Sequence, residues 1–330
     1  GLSVSLMFVM LIGVYVWQEY SVDKQHSKAE RIYTLGIDMG NRDKVMGISR
    51  QVAPYLKSRY PEIEMTCGVA RDETLIYIND YQLVKKYGLY VDSTFFEIFD
   101  FPLVRGDFRS VLRGKDDCVV TEDLARQLFG DSDPIGKHLK LGYYNKVLKV
   151  TGVMKEMENS SLQKADFVCR FEHVSNESLV KGLNNAVGSD LYVLAKPNTD
   201  FGAKVADITQ YFKEFFWIYQ LEDMEAKAIV LPFSEQYFTE IRDCNRHTSR
   251  GSLKLVKMLF ASCLVVLLFA VFNYINLTVA QSGRRSREMA MRRLLGSHRS
   301  GIVRRLMSES IMLCLFSLAL SLLFAAAFAP

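Results

Sequence analysis

Three long apolar stretches interrupt the pattern of polar positions along the chain. Residues 2–17 and 311–329 carry no charge, and residues 255–279 carry only Lys257, in the first turn. A helix rises about 1.5 Å per residue and the hydrocarbon core of a bilayer is about 30 Å thick, so a span needs about 20 residues. The pattern predicts three membrane spans. Because the first is short and begins at residue 1, we expect it to be clipped and the chain to be an N-terminal fragment.

The region between the first two spans has the shorter periods of a mixed domain. Alternating apolar positions predict strands at residues 32–38, 64–70, 74–78, 190–195 and 226–233, and around residues 147–153. Helical spacing predicts helices at residues 52–60, 122–129 and 201–219. Two strand–helix–strand units therefore flank an inserted lobe at about residues 111–188. The predicted fold class is an α+β extracytoplasmic domain, with these two porter-like units and the inserted lobe, flanked by transmembrane α-helices.

These patterns divide the chain into five parts. They are a first transmembrane helix (1–20), an outer domain (21–253), a second transmembrane helix (254–279), a loop (280–308) and the start of a third transmembrane helix (309–330). Asn273 and Asn276 fall in the last two turns of the second helix, where amide groups in lipid need partners. We therefore expect both side chains to face another helix.

Charge is distributed unevenly among these parts. Residues 19–253 hold 31 Lys and Arg against 35 Asp and Glu, a net charge of −4, whereas residues 280–305 hold eight Arg and one Glu. Loops rich in Lys and Arg stay on the cytoplasmic side of a membrane. The large domain is therefore predicted to lie on the outer side. A basic loop held between two spans argues against nucleic-acid binding, and the apolar ends exclude a plain cytosolic enzyme.

Motifs for catalysis are few in the outer domain. Gly130 and Gly136 resemble the glycines of a phosphate-binding loop, but that loop needs four residues between them and a Ser or Thr after its lysine. Here five residues separate the glycines and His138 follows Lys137, so a turn is favoured. No Ser/His/Asp arrangement is present in the sequence pattern. An aromatic cluster is predicted to pack in the core, formed by Phe95, Phe96, Phe99 and Phe101.

The six cysteines show no metal-ligand spacing. Cys263 and Cys314 fall in predicted membrane helices. The outer domain, where a disulfide is permitted, contains Cys67, Cys118, Cys169 and Cys244. The sequence does not give their pairing, and most are predicted to be buried as small hydrophobic side chains.

The basic loop carries the signals of a short helix of its own. Ser286 suits an N-cap, Glu288 the first turn, Arg292 and Arg293 the last turn, and Gly296 the position after the helix. These signals predict a separate helix at about residues 287–295 and a second helix from about residue 300 into the third span. Topology and anionic lipid explain the arginines alone. A capped helix between two spans indicates docking to a cytoplasmic partner.

Several motifs resemble known families. The end of the second span, Asn273-Tyr-Ile-Asn276, followed by the Arg-rich run at residues 284–296, resembles the permease domain of FtsX-type ABC transporters. The outer domain resembles the MacB-type periplasmic core at residues 90–107, 119–122, 128–130, 133–137 and 192–197. Each motif is weak alone, but the set covers nearly the whole chain.

The resemblance implies a permease subunit in the bacterial inner membrane, with several spans and a large periplasmic domain. It implies a cytoplasmic ATPase partner that holds ATP and Mg²⁺, and a homo- or heterodimer with another permease. The chain itself would carry no cofactor, no metal and no catalytic residue. Membrane lipid, a periplasmic adaptor and an outer-membrane channel are further candidate partners. A coupling helix would contact the ATPase through Arg284, Arg285, Arg287, Glu288, Met291, Arg292, Arg293, Leu294, Leu295 and Gly296.

The function implied is to couple ATP hydrolysis to movement of the periplasmic domain, in efflux, lipoprotein extraction or mechanotransmission. The cargo stays open. A membrane-anchored extracytoplasmic sensor is the alternative, but it predicts a long cytoplasmic signalling helix where a third span follows after residues 280–310. An anchored extracytoplasmic enzyme would need a catalytic constellation, which the sequence does not show.

Overall fold

The computed structural model describes residues 2–40, 44–79, 81–142, 146–174, 189–214, 216–220, 225–243, 247–294 and 299–328. The chain splits into two compact units. The membrane unit comprises Gly1–Tyr20 and Ser252–Pro330, and the outer unit comprises Ser21–Gly251.

Helices and strands alternate in the outer unit, whereas the membrane unit is helical among the described residues. The helices are α1 (Leu2–Ser21), α2 (Ala53–Arg59), α3 (Phe95–Ile98), α4 (Glu122–Phe129), α5 (Val205–Phe212), α6 (Phe233–Gln236), α7 (Leu253–Leu294) and α8 (Arg299–Phe328). The strands are β1 (Ile32–Asp38), β2 (Lys44–Met46), β3 (Ile63–Asn79), β4 (Gln82–Val91), β5 (Leu103–Arg105), β6 (Asp117–Thr121), β7 (His138–Lys140), β8 (Val147–Met154), β9 (Phe167–Arg170), β10 (Asp190–Ala195), β11 (Lys227–Pro232) and β12 (Arg242–Asp243).

Among the residues that the structure describes, three helices of the membrane unit are long and apolar enough to cross a bilayer. The segments that meet this criterion are Ser3–Ser21, Leu253–Ala280 and Met307–Phe324. They match the three stretches predicted from the sequence. Helix α8 begins at Arg299, which confirms the helix expected from about residue 300.

The prediction of a separate short helix in the basic loop is wrong. Helix α7 continues without interruption from the second span through the arginines to Leu294. Ser286 therefore lies inside a helix and is not its N-cap. The segment between span and arginines has no proline, and its Gly283 costs only about 1 kcal/mol in a helix interior. A break there would leave the end groups of two helices unsatisfied, so one continuous hydrogen-bond ladder is favoured.

The outer unit is built on one sheet, which has 12 strands among the described residues. Their order is β12-β2-β1-β10-β3-β4-β9-β6-β8-β5, with β11 beside β1 and β7 beside β8. Strands β11, β1, β10 and β3 pair antiparallel in that order. With α2 and α5 as connections, they form a split β-α-β pattern of the ferredoxin-like type. Strands β4 to β9 come from the chain inserted between β3 and β10. This arrangement confirms two strand–helix–strand units with an inserted lobe. The predicted start of the lobe, at about residue 111, is too late, because β4 follows β3, pairs with it and already belongs to the inserted chain.

Most predicted elements of the outer unit are confirmed, and two are corrected. Strands β1 and β10 and helix α4 have the predicted bounds. The two strands predicted at residues 64–70 and 74–78 are one 17-residue strand, β3. The polar run between them lies in the paired part of β3, where β4 satisfies the backbone. Helix α5 is shorter than predicted, because tight turns at Gly202–Lys204 and after Phe212 replace its first and last turns.

The predicted aromatic cluster lies in the core. Phe95, Phe99 and Phe101 pack against one another with ring centroids 5.1 to 6.4 Å apart. Phe99 also contacts the rings of Tyr192 and Phe233 at 5.2 and 5.3 Å. All are buried in one hydrophobic cluster, so the core interpretation of these residues is confirmed.

We predict that Gly36→Ala destabilises the outer unit by roughly 1 to 3 kcal/mol. A Cβ at position 36 of β1 would lie 2.8 Å from the sulfur of Met46 and closer still to the carbonyl oxygen of Val45 on β2. Backbone atoms of a paired strand cannot move aside cheaply. Urea unfolding of the isolated outer unit, residues 21–251, measures the change.

The matched control is Gly202→Ala. Its Cβ would meet no atom closer than 3.2 Å, at a side-chain oxygen of Asp200. It should stay within about 0.5 kcal/mol of wild type. Equal unfolding midpoints for Gly36→Ala and wild type would contradict the close approach of β1 and β2.

Candidate functional site

The arginine-rich segment implied to be a coupling helix lies at the C-terminal end of α7. The backbone of Arg284, Arg285, Arg287, Glu288, Met291, Arg292, Arg293 and Leu294 is helical. Leu295 and Gly296 lie outside the described residues. Among these side chains the structure describes only Met291, which is 66% exposed. An exposed apolar side chain on a basic helix is compatible with docking, and contact with a partner stays a prediction.

Asn273 and Asn276 are exposed on α7. Their predicted contact with another helix is therefore not made within the described residues of this chain, and it stays a prediction for the assembled protein. The apolar side chains around them, such as Phe269 and Phe272, are exposed as well. The surface of α7 is thus available to lipid or to further helices.

A second candidate site lies in the outer unit, where both of its chain ends bind one short segment. We call residues 159–163 the anchor segment. The backbone N–H of Asp23 donates to the carbonyl of Asn159 at 2.8 Å. The N–H of Ser249 donates to the carbonyl of Ser161 at 2.6 Å, and the N–H of Gln163 donates to the carbonyl of His247 at 2.9 Å. Asp23 follows α1 closely and Ser249 precedes α7, so the anchor segment joins the two connections to the membrane helices.

Asp23 is the centre of this attachment. Its side chain is 3% exposed and its backbone adopts a left-handed conformation with φ of 62°. One carboxylate oxygen accepts hydrogen bonds from the N–H of Ser161 at 2.8 Å and from the hydroxyl of Ser160 at 3.1 Å. Burial disfavours the charged form more than these bonds favour it, so the pKa of Asp23 rises to about 6.

His26 sits beside Asp23 in an aromatic cage. Its ring lies 4.9 to 5.6 Å from the rings of Phe99, Phe101 and Phe233. The N–H of Asp100 donates to its Nδ1 at 3.1 Å, so the neutral ring carries its proton on Nε2. Burial lowers the pKa of His26 to about 4. Both titratable groups of this attachment are therefore held towards their neutral forms.

His247 ties the other chain end to the sheet. Its Nδ1 lies 3.5 Å from a carboxylate oxygen of Asp190, the first residue of β10, and both side chains are 4% exposed. The sequence pattern did not reveal this cluster, because Asp23, Ser161 and His247 are far apart along the chain. The local signal available was a short polar Asn-Ser-Ser run at residues 159–161.

The segment with spaced glycines forms a turn, as predicted. Gly130 and Gly136 have φ of 57° and 82°, which glycine adopts readily. The carboxylate of Asp133 accepts the N–H of Ile135 at 3.1 Å and binds Arg105 at 2.8 Å. In the part of the chain that the structure describes, no three His, Cys, Asp or Glu side chains are placed to hold a metal ion.

Comparison with known proteins identifies the family. The MacB-like periplasmic core domain matches residues 1–211, and the FtsX-like permease C-terminal domain matches residues 260–330. The chain belongs to the MacB-like periplasmic core domain family. It is an ABC transporter permease of the MacB/FtsX type, and its outer unit is a periplasmic domain of an inner-membrane protein.

Individual relatives are distant. The macrolide export ATP-binding/permease protein MacB of Neisseria meningitidis is 22% identical over 245 residues, which cover 73% of this chain and 35% of that protein. The protein of the same name in Syntrophobacter fumaroxidans is 22% identical over 334 residues, which cover 87% and 46%. The chain thus spans between a third and a half of these relatives.

One solved structure shares the fold of the outer unit. It is a domain assigned to a permease protein of Porphyromonas gingivalis, with a TM-score of 0.52 and 20% identity. The match covers 63% of this chain and 92% of that domain.

We predict that Asp23→Asn stabilises the outer unit above pH 6 and leaves it unchanged near pH 4. Folding raises the pKa of Asp23 from 3.8 to about 6. The contribution of Asp23 to the free energy of unfolding is therefore fully present below pH 3.8 and is lost as pH rises through about 6. Asparagine mimics the protonated acid and tolerates positive φ. The difference between variant and wild type should grow to roughly 2 to 3 kcal/mol by pH 8. Urea unfolding across pH 4 to 8 measures it.

His26 has a lowered pKa, so it removes stability from wild type and variant alike as pH falls from about 6.5 towards 4. Subtracting the free energy of unfolding of wild type from that of the variant removes this shared contribution. Asp23→Ala is the control. It loses the bonds to Ser160 and Ser161 at every pH and should be less stable than wild type already at pH 4. A pH-independent effect of Asp23→Asn would contradict the raised pKa.

Proposed function

We propose that this permease couples ATP hydrolysis by a partner ATPase to movement of its periplasmic outer unit. The observation that carries the proposal is the continuity of α7. At about 1.5 Å per residue its 42 residues extend about 63 Å, roughly twice the hydrocarbon thickness of a bilayer. One rigid element therefore includes both a complete span and the arginine-rich segment.

The charge pattern assigns the two ends of α7 to opposite sides of the membrane. Residues 281–294 hold five Arg and one Glu, which favours the cytoplasmic side. The N-terminal end of α7 continues directly from the periplasmic outer unit. A partner that pushed on the arginine segment would tilt or shift the span itself, because no flexible joint separates them. In this proposal ATP and Mg²⁺ are held by the ATPase, and this chain supplies no catalytic residue.

Exposed apolar surface supports assembly with another permease. Within the candidate spans of α1, α7 and α8, between 0% and 11% of the residues in the most apolar window are buried. Lipid can cover such surfaces, but the exposed amides of Asn273 and Asn276 gain from a helix that offers hydrogen bonds. A homo- or heterodimer would provide one.

The cargo is not determined by these features. Two relatives are named for macrolide export, and efflux, lipoprotein extraction and mechanotransmission all fit a moving periplasmic unit. A membrane-anchored sensor fits less well. It needs a free cytoplasmic helix after the second span, whereas α8 begins five residues after α7 ends and contains a third candidate span.

We predict that reversing Arg292 and Arg293 to Glu in the full-length protein uncouples it from its ATPase. Reversed charges would repel the acidic groups that a basic helix would dock against. Permease-stimulated ATP hydrolysis in purified complexes should fall about tenfold, equivalent to about 1.4 kcal/mol in the activation free energy of the stimulated reaction. The ATPase should also co-purify less well from native membranes.

The matched control reverses Arg304 and Arg305, which lie in α8. This variant changes the charge between the two spans by the same amount, so it reports effects of topology and lipid attraction. It should keep most of the stimulation. Equal losses in both variants would contradict a specific role for the end of α7, and unchanged stimulation in the first variant would contradict coupling through these arginines.

A further inference from the structure

Two cysteines of the inserted lobe face each other across neighbouring strands. Cys118 lies on β6 and Cys169 on β9, and the antiparallel register of these strands makes the two residues direct partners. Both are thiols in the structure and both are fully buried. The 50 residues between them include α4, β7 and β8.

The register places this pair at a non-hydrogen-bonded position. The N–H of Thr121 donates to the carbonyl of Asp166 at 3.0 Å, so these two residues form a hydrogen-bonded pair. Hydrogen-bonded and non-hydrogen-bonded pairs alternate along an antiparallel ladder. Cys118 and Cys169 lie three pairs along the ladder from Thr121 and Asp166, so they form a non-hydrogen-bonded pair. In such a pair the Cα atoms are about 4.5 Å apart, and the side chains are closer than in a hydrogen-bonded pair.

This spacing is within the range that a disulfide bond requires. Bridged cysteines have Cα atoms about 4.4 to 6.8 Å apart and Cβ atoms about 3.5 to 4.5 Å apart, whereas opposed Cβ atoms in a ladder lie about 4.5 to 5.5 Å apart. Bonding therefore requires a small further approach. On its other side, β6 has a register shift against β8 between Cys118 and Val119, so the ladder is already irregular at this cysteine.

We propose that Cys118 and Cys169 form a disulfide bond in the protein on the outer side of the membrane. Two S–H bonds break and one S–S bond forms. The two electrons and two protons pass to the disulfide of an oxidising thiol–disulfide oxidoreductase, which leaves with two thiols. The periplasm supplies oxidants of this class.

Burial sets when the reaction happens. The pKa of both thiols is raised, because burial disfavours the thiolate, and for Cys169 the neighbouring Cys118 adds to the effect. Thiolate is the reacting form, and neither sulfur is accessible in the folded sheet. The bond therefore forms before β6 and β9 close, during folding after export. Once formed, the disulfide bond joins β6 and β9 and closes a loop that contains α4, β7 and β8. Because both sulfur atoms are buried, reductants cannot reach the bond.

Peptide mapping of the full-length protein from native membranes tests the proposal. The membranes are denatured in excess alkylating reagent, without reductant, and digested with trypsin. Cleavage after Lys and Arg places Cys118 in the peptide 116–126 and Cys169 in the peptide 165–170. We expect these peptides as one linked species, two hydrogen atoms lighter than their sum, which disappears after reduction. Two separately alkylated peptides would overturn the proposal.

Cys67 is the internal control. It is fully buried on β3, and its peptide is 60–71. It should be alkylated in the same sample, which shows that burial alone does not block the reagent after denaturation. Cys118→Ala should release Cys169 for alkylation. A link from Cys169 to any other cysteine in wild-type protein would also overturn the assignment.

Discussion

The pairing of strand β3 on its two sides holds the outer unit together. Residues 63–69 of β3 pair with β10 of the ferredoxin-like half, and residues 69–79 pair with β4 of the inserted lobe. Val69 is a partner of both strands. The two halves therefore share one continuous backbone ladder. Arg50 reinforces this junction, because it binds the carboxylate of Asp92 and lies 4.3 Å above the ring of Phe171. Displacing one half would bend β3 or move the other half with it.

The core extends this rigidity to the chain ends. The cluster around Phe99 contains residues from β3, β4, β6 and β10, and the rings of Phe99 and Phe233 enclose His26. Packed interiors resist deformation, so residues embedded in one cluster move together. Burial at the chain ends also shifts the titration of Asp23 and His26. Because burial disfavours a charge, it raises the pKa of Asp23 to about 6 and lowers that of His26 to about 4, so each neutral form persists over a wider pH range than in the unfolded chain.

Local signals predicted most elements, and they failed where distant residues decide. The alternation of β1 and the helical spacing of residues 122–129 were sufficient signals. In the structure Thr121 also caps α4, because its hydroxyl accepts the N–H of Leu124. The polar residues 71–73 within β3 suggested the end of a strand, because the sequence alone did not show that β4 pairs with them. Ser286 looked like an N-cap, because a cap is worth about 1 kcal/mol locally, whereas breaking α7 costs the end groups of two helices. The anchor segment and the cysteine register depend on strand pairing, which composition does not encode.

The anchor segment joins the two chain ends within the outer unit. Ser161 binds both connections at once, through its N–H to Asp23 and through its carbonyl to the N–H of Ser249. Any separation of Asp23 from Ser249 would strain these two bonds. Each is worth about 1 kcal/mol net, and buried polar groups left unsatisfied would cost more. The two chain ends are therefore expected to stay attached to the anchor segment. Separating the two ends would have to break the bonds at Ser161. It would also deprive the Asp23 carboxylate, which with a pKa of about 6 is mostly charged at pH 7, of the hydrogen bonds that stabilise its charge.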